Sequence, residues 1–278
     1  MSFNKIGLAL SFSPSMHNNL AVALHIKRLY GAELCIIHST SADNKDKAEL
    51  EKILIDSKCD LNTIKIIEGK DDPADFILKT VTSEKIDLLI AGALKKENFV
   101  KHYIGSVARR LMHEAKCSVL IVSMEQKFNK KFNKFCTLVN YTNECERAIK
   151  TAYEFANIEK AENFCLIRDL WVPGLSLSGL DSGSIKESTN AINNFIEEEK
   201  EKIKIYIDEM QLTGKVPIQI SCFYEKVAFN LSNYIKEIKA DLLVISSPPK
   251  KTTIFDRFVA DEFRYFYDDL PSNLLIIR

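Results

Sequence analysis

Three short stretches carry residue types suited to holding an anion. Gly92-Ala93-Leu94-Lys95 is followed, nine residues on, by Gly105-Ser106. A glycine closing an apolar run lets a ligand approach the main chain, because no Cβ stands in the way. A Gly-Ser pair opening a helix can present backbone N–H groups and a hydroxyl to a phosphate. Lys95 adds a positive charge. The plainer reading of the two glycines is a turn and a helix cap, and both readings stay open at this point. The third stretch, Leu10-Ser11-Phe12-Ser13-Pro14-Ser15, sets three hydroxyls behind another apolar run, close to His17. It lacks the G-x-S-x-G elbow of a serine nucleophile. A helix N-cap at Ser13 or Ser15 explains it more simply.

Other chemistries find little footing. His17, His25, His38, His102 and His113 are scattered, with no H-E-x-x-H spacing, so no metal site is expected. No G-x-x-x-x-G-K-[ST], S-G-G-x-D-S or H-x-G-H run is present. No positioned general base is visible, and an enzyme is not expected. Seven cysteines occur without a C-x-x-C pair, several inside apolar runs such as Leu34-Cys35-Ile36-Ile37. They read as reduced, buried thiols in a reducing cytoplasm. Lysine plus arginine and aspartate plus glutamate stand at 38 each, so no net field steers the chain to nucleic acid or membrane. The N-terminus lacks the apolar core of a signal peptide, and no run is long enough to span a bilayer.

The elements that must position the three stretches are short apolar strands alternating with helices. In the leading half the expected strands are 5–10, 33–38, 63–68, 87–91 and 118–122. The expected helices are 15–30, 46–57, 73–84 and 107–115. Such alternation means parallel strands with right-handed crossovers. Ligands of these sheets lie beyond the carboxyl ends at the switch point, here Ser11 and Gly92.

The pattern occurs twice. Leu8–Ser11 corresponds to Thr137–Asn140 and Ala32-Glu33 to Ala161-Glu162, 129 positions apart. Asp87–Ile90 corresponds to Asp241–Val244 and 118–122 to 272–276, 154 apart. The trailing copy thus carries about 25 extra residues, which the Gly- and Ser-rich stretch 171–188 is expected to hold as a loop. The join, 125–134, is rich in lysine and reads as a solvated linker. Glu197-Glu198-Glu199-Lys200-Glu201-Lys202 reads as an exposed helix face, with Glu198 paired to Lys202. The aromatics Phe255, Phe258, Phe263, Tyr265, Phe266 and Tyr267 read as core or interface packing.

On these residues the chain resembles the universal stress protein family. Gly92, Gly105 and Ser106 match the family's Gly, two residues, Gly, nine residues, Gly-Ser/Thr, with Lys95 in place of the middle glycine. Ser11 stands where an aspartate commonly follows the first strand. The resemblance implies an α/β fold of two tandem doubly wound parallel-sheet domains, of the adenine nucleotide alpha hydrolase-like type, over 1–126 and 133–278. It implies a non-enzymatic stress-response protein binding ATP or another adenine nucleotide in the first domain. Ser11, Phe12, Ser13, Gly92, Lys95, Gly105 and Ser106 would form the site. The alternative is a nucleotide-free scaffold for partner proteins. In the second copy Asn140 replaces the strand-end residue, Ser246 stands for Gly92, Pro249 for Lys95, and Val259-Ala260 for Gly-Ser. That copy is expected to be degenerate. The resemblance further implies pairing of the two domains through their last strands, or a homodimer.

Overall fold

The computed structural model describes residues 3–39, 45–57, 60–95, 102–124, 127–170, 182–224, 227–247 and 270–278. The chain divides into two compact units, one of Met1–Lys131 with Phe266–Arg278, the other of Phe132–Tyr265.

The first unit opens with β1 (Lys5–Leu10), α1 (Met16–Tyr30), β2 (Glu33–Ser39), α2 (Lys45–Asp56), β3 (Ile64–Gly69) and α3 (Pro73–Ser83). It continues with β4 (Leu88–Gly92), the short pair β5 (Leu94–Lys95) and β6 (His102–Tyr103), α4 (Ser106–Glu114) and β7 (Ser118–Val122). Strands β1, β2, β4 and β7 form because each is a run of mostly buried, largely aliphatic residues, as suits a parallel sheet covered on both faces, whereas in the edge strand β3 only Ile64 is buried. Helix α1 ends at Gly31, whose φ of 65° is a left-handed cap open to glycine without steric cost. Helix α3 starts with Pro73 at its first position, behind Asp72, whose side chain accepts from the Asp75 N–H.

The parallel order is β7-β4-β1-β2-β3. The chain leaves β1 toward β2 on one side and returns to β4 on the other. The switch point therefore lies between β1 and β4. Asp87 pins this juncture, its carboxylate accepting from the main-chain N–H of Asn4 at 2.7 Å and of Lys5 at 3.2 Å.

The second unit contains β8 (Lys134–Leu138), α5 (Asn143–Glu159), β9 (Asn163–Leu170), α6 (Ser182–Met210), β10 (Ile218–Tyr224), α7 (Val227–Glu237) and β11 (Leu242–Ser246). Its strands are parallel in the order β10-β9-β8-β11. Phe132, Phe135 and Phe155 pack edge to face beneath them. Asp241 repeats the contact of Asp87, accepting from the N–H of Asn133 at 2.7 Å and of Lys134 at 2.9 Å. The last strand, β12 (Asn273–Ile277), pairs antiparallel with β7, Leu275 opposite Leu120. It falls in the first unit, where it pairs with β7, whereas the sequence boundary at 133–278 groups it with the second.

Two expectations are corrected. The stretch 171–188 is not all loop: α6 begins at Ser182 and runs 29 residues against 12 in α2, so most of the extra length is helix. Its Ser and Gly residues stand in the first turn, where small capping residues are favoured. The rest of that stretch, 171–181, lies outside the described residues. Nor is the acidic run uniformly exposed. Glu199 is buried and pairs with Lys202 at 3.3 Å, the role expected of Glu198. A helix packed on a sheet must turn part of every four residues inward. The aromatic cluster after Ile254, Pro249 and Val259-Ala260 lie outside the described residues.

Candidate functional site

A cavity of about 270 Å³ opens at the carboxyl ends of β1, β2 and β4, at the switch point. Ser11 and Ser13 come from the turn after β1, Gly92 from the end of β4, and Gly105 and Ser106 from the start of α4; all five line it. Ser15 and Asn19 of the α1 entrance, Ser39 closing β2, and the aliphatic Ile37 and Ile77 complete the parts that matter here. Of the other two expected residues, one is not on the described walls and the other has no described side chain. Phe12 is 38% exposed and lays its ring edge-on against His38, 5.0 Å between centroids. Lys95 lies in β5, its backbone opposite His102 of β6, and its side chain is outside the described residues.

Helix α4 turns its N-terminus into the cavity. Gly105 is its N-cap, with φ −65° and ψ 167°, and no side chain caps the turn. The N–H groups of Ser106, Val107 and Ala108 have no intrahelical acceptor, and these residues line the cavity. Together with the helix dipole they make an anion-attracting end. The α4 arginines are committed elsewhere. Arg109 donates to the Ile104 carbonyl at 2.7 Å. Arg110 pairs with Asp72, Asp75 and Glu114, tying α4 to the start of α3. The hydrogen bond from Arg110 holds the Glu114 carboxyl below its ordinary value. Among the described residues the walls carry hydroxyls, an amide and main-chain donors, and no charged side chain.

Gly92 lines the cavity beside a side chain. A Cβ built there would run into the carboxamide of Asn19, so the space that the glycine leaves is taken by a side chain. Asn19 is 5% exposed. Its Nδ2 reaches Ser15 Oγ at 3.4 Å, and Ser15 Oγ lies 3.1 Å from Ser13 Oγ. Its Oδ1 is buried with no hydrogen-bond partner. Sequence reasoning passed over Asn19. The available signal was a lone amide on the otherwise apolar stripe of Met16, Leu20 and Ala23. At the end of β2, His38 is buried, its Nδ1–H donating to the Leu10 carbonyl at 3.0 Å, which ties β2 to β1.

The second unit has a different set of groups beyond its strands. The Asn140 side chain accepts from the Thr142 N–H at 3.3 Å and hydroxyl at 2.8 Å, which supports the cap of α5. Arg168, near the end of β9, donates to Glu199 at 3.1 Å and to the Val139 carbonyl at 2.9 Å. Tyr141 donates its hydroxyl to Glu199 at 2.8 Å and lies under the Arg168 guanidinium. Burial alone would raise the Glu199 carboxyl. Hydrogen bonds from Tyr141 and Lys202, with the Arg168 charge, overcome that and hold it below its ordinary value. Burial, then the bond to Glu199, pushes the Tyr141 phenol up.

The described cysteines are free thiols, and burial pushes those of Cys35 and Cys117 up to about 11, which keeps them protonated. No group of three or more His, Cys, Asp or Glu among the described residues is placed to hold a metal ion. No described helix is long and apolar enough to cross a membrane.

Comparison with known proteins agrees with this geometry. The model of the universal stress protein family matches residues 2–123. A universal stress protein of Methanothermobacter thermautotrophicus is 28% identical over 90 residues, 32% of this chain. The chain spans 61% of that relative's length. Two solved structures are similar along almost the whole chain. A functionally unknown protein from Pseudomonas aeruginosa PAO1 has a TM-score of 0.73 at 16% identity, over 99% of this chain and 92% of that one. A universal stress protein from Archaeoglobus fulgidus has a TM-score of 0.63 at 13% identity, over 100% of this chain and 99% of that one. At such identities the likeness shows the mostly parallel α/β fold. The family match, carried by the doubly wound sheet of the first unit, shows that residues 2–123 are a universal stress protein domain.

Proposed function

We propose that the first unit binds ATP or another adenine nucleotide, and that the chain acts as a stress-response binding protein rather than an enzyme. The observation that carries this is the uncapped first turn of α4, opening on a cavity at the switch point of the sheet. Gly105 and Ser106 would hold phosphate through main-chain N–H groups and the hydroxyl, and Ile37 and Ile77 offer apolar contact for a base. Ser11 and Ser13 supply neutral partners beside it. The walls offer groups that bind, and the described ones include no proton-transferring carboxylate or imidazole. The second unit takes no nucleotide in this reading, because Asn140 is committed to Thr142 and Arg168 to Glu199. The matching bonds of Asp87 and Asp241 support descent of both units from one ancestor. Pairing of β12 with β7 would then be the join between the two copies, made within one chain in a cytoplasmic protein.

Calorimetric titration with ATP, repeated on Gly105→Asp, tests the reading. Heat is expected from the unaltered protein and none from the variant, whose carboxylate repels phosphate at the helix end. No heat from the unaltered protein at high nucleotide rejects it. A nucleotide-free scaffold is the second reading, favoured by Asn19 filling the space over Gly92. Protein partners recovered from stressed cells, with no nucleotide released from the purified protein on denaturation, would decide for the scaffold.

A further inference from the structure

The amide of Asn19 is buried in the cavity wall with one of its two polar atoms unused. This does not depend on how the amide is turned. With Nδ2 toward Ser15, Oδ1 is the orphan. Exchange the two, and Oδ1 accepts from the Ser15 hydroxyl while the NH2 is left over. An unpaired buried polar atom is costly, and few are tolerated without a reason. Its position is equally constrained. Only a glycine at 92 leaves space for the amide, so whatever enters the cavity at the end of β4 meets Asn19 beside the main chain of Gly92.

We infer that Asn19 is a specificity-determining residue of this cavity, pairing its spare amide atom with a hydroxyl of the bound ligand. The inference rests on the nucleotide reading and adds to it the group that the site selects. A hydroxyl is both donor and acceptor, so it satisfies the orphan in either amide orientation; a phosphate oxygen only accepts and would suit one. In a nucleotide the hydroxyls are those of the sugar. Asn19 lines the cavity, and Ser15 with Ser13 behind it engages the other atom of the amide. A site built around a hydroxyl rejects the analogue that lacks it, because a buried group is then left without a partner.

The test is binding of ATP, 2′-deoxy-ATP and 3′-deoxy-ATP to the full chain and to its Asn19→Ala and Asn19→Ser variants. The unaltered protein is expected to bind one deoxy analogue roughly 10-fold more weakly than ATP. Asn19→Ala should bind ATP and that analogue alike, and Asn19→Ser, which keeps a donor and acceptor, should restore part of the preference. Equal binding of all three compounds by the unaltered protein overturns the inference while leaving the nucleotide reading intact. A preference that survives Asn19→Ala overturns it as well. No binding of ATP by the unaltered protein removes both. The comparison on the unaltered protein stands even where a variant fails to fold.

Discussion

Gly92→Ala is the sharpest perturbation of the candidate site. The added Cβ overlaps the Asn19 Nδ2 and stands 3.2 Å from Cγ and 3.3 Å from Oδ1, closer than ordinary van der Waals contact. Gly92 ends a β-strand, so alanine suffers no backbone strain there and the penalty is steric. Asn19 has little freedom to yield, being 5% exposed on the buried face of α1. Driving it from its rotamer costs about 0.5–1.5 kcal/mol, and overpacking of this kind costs about 1–3 kcal/mol in total. Asn19→Ala alone loses one long contact to Ser15 and also the orphaned oxygen, so its effect should stay within about 1 kcal/mol. In the double variant the colliding amide is gone, and Gly92→Ala should cost almost nothing. The expected coupling is therefore about 1–3 kcal/mol. Urea unfolding of the four proteins followed by far-UV circular dichroism measures it, with the slope checked for constancy. Equal destabilisation by Gly92→Ala in both backgrounds, or none in either, would refute the packing of Asn19 on Gly92.

The carboxylates that anchor the strand starts should behave as a pair. Asp87→Asn and Asp241→Asn each exchange charge-assisted bonds to two main-chain N–H groups for neutral ones. Each should cost about 1–2 kcal/mol in chemical denaturation, and a cost near zero at both positions would show that the bonds are idle. Glu199 should make the stability of the protein acid-sensitive. Its carboxyl is held low by Tyr141, Lys202 and Arg168, so its contribution is complete above the ordinary carboxylate value of about 4.3. It is lost as pH falls below that through the lowered folded value. The slope of stability against pH in that range should flatten in Glu199→Gln, and parallel curves for the two proteins would exclude the cluster as a source.

The sequence by itself determined the local elements of the first unit and where the carboxyl ends of its strands must lie. Periodicity and punctuation are local properties, so the β1 bounds, the α3 start at Pro73 and the α4 start beside Gly105 were legible in the residues. Two offsets between like segments led to the expectation of a duplication, and the like amide contacts of Asp87 and Asp241 fall on the same pairs. Only the tertiary structure decided what faces the cavity. A glycine at a strand end looks the same in sequence whether a ligand or a side chain uses its space, and Asn19, 73 positions away, takes it here. Phe12 lies next to two wall residues and turns to His38, because neighbours in a turn point in different directions. Glu199 reads as one carboxylate among several in a charged run. Its burial depends on Arg168 and Tyr141 arriving from a strand and a loop, and no spacing along the chain records that meeting.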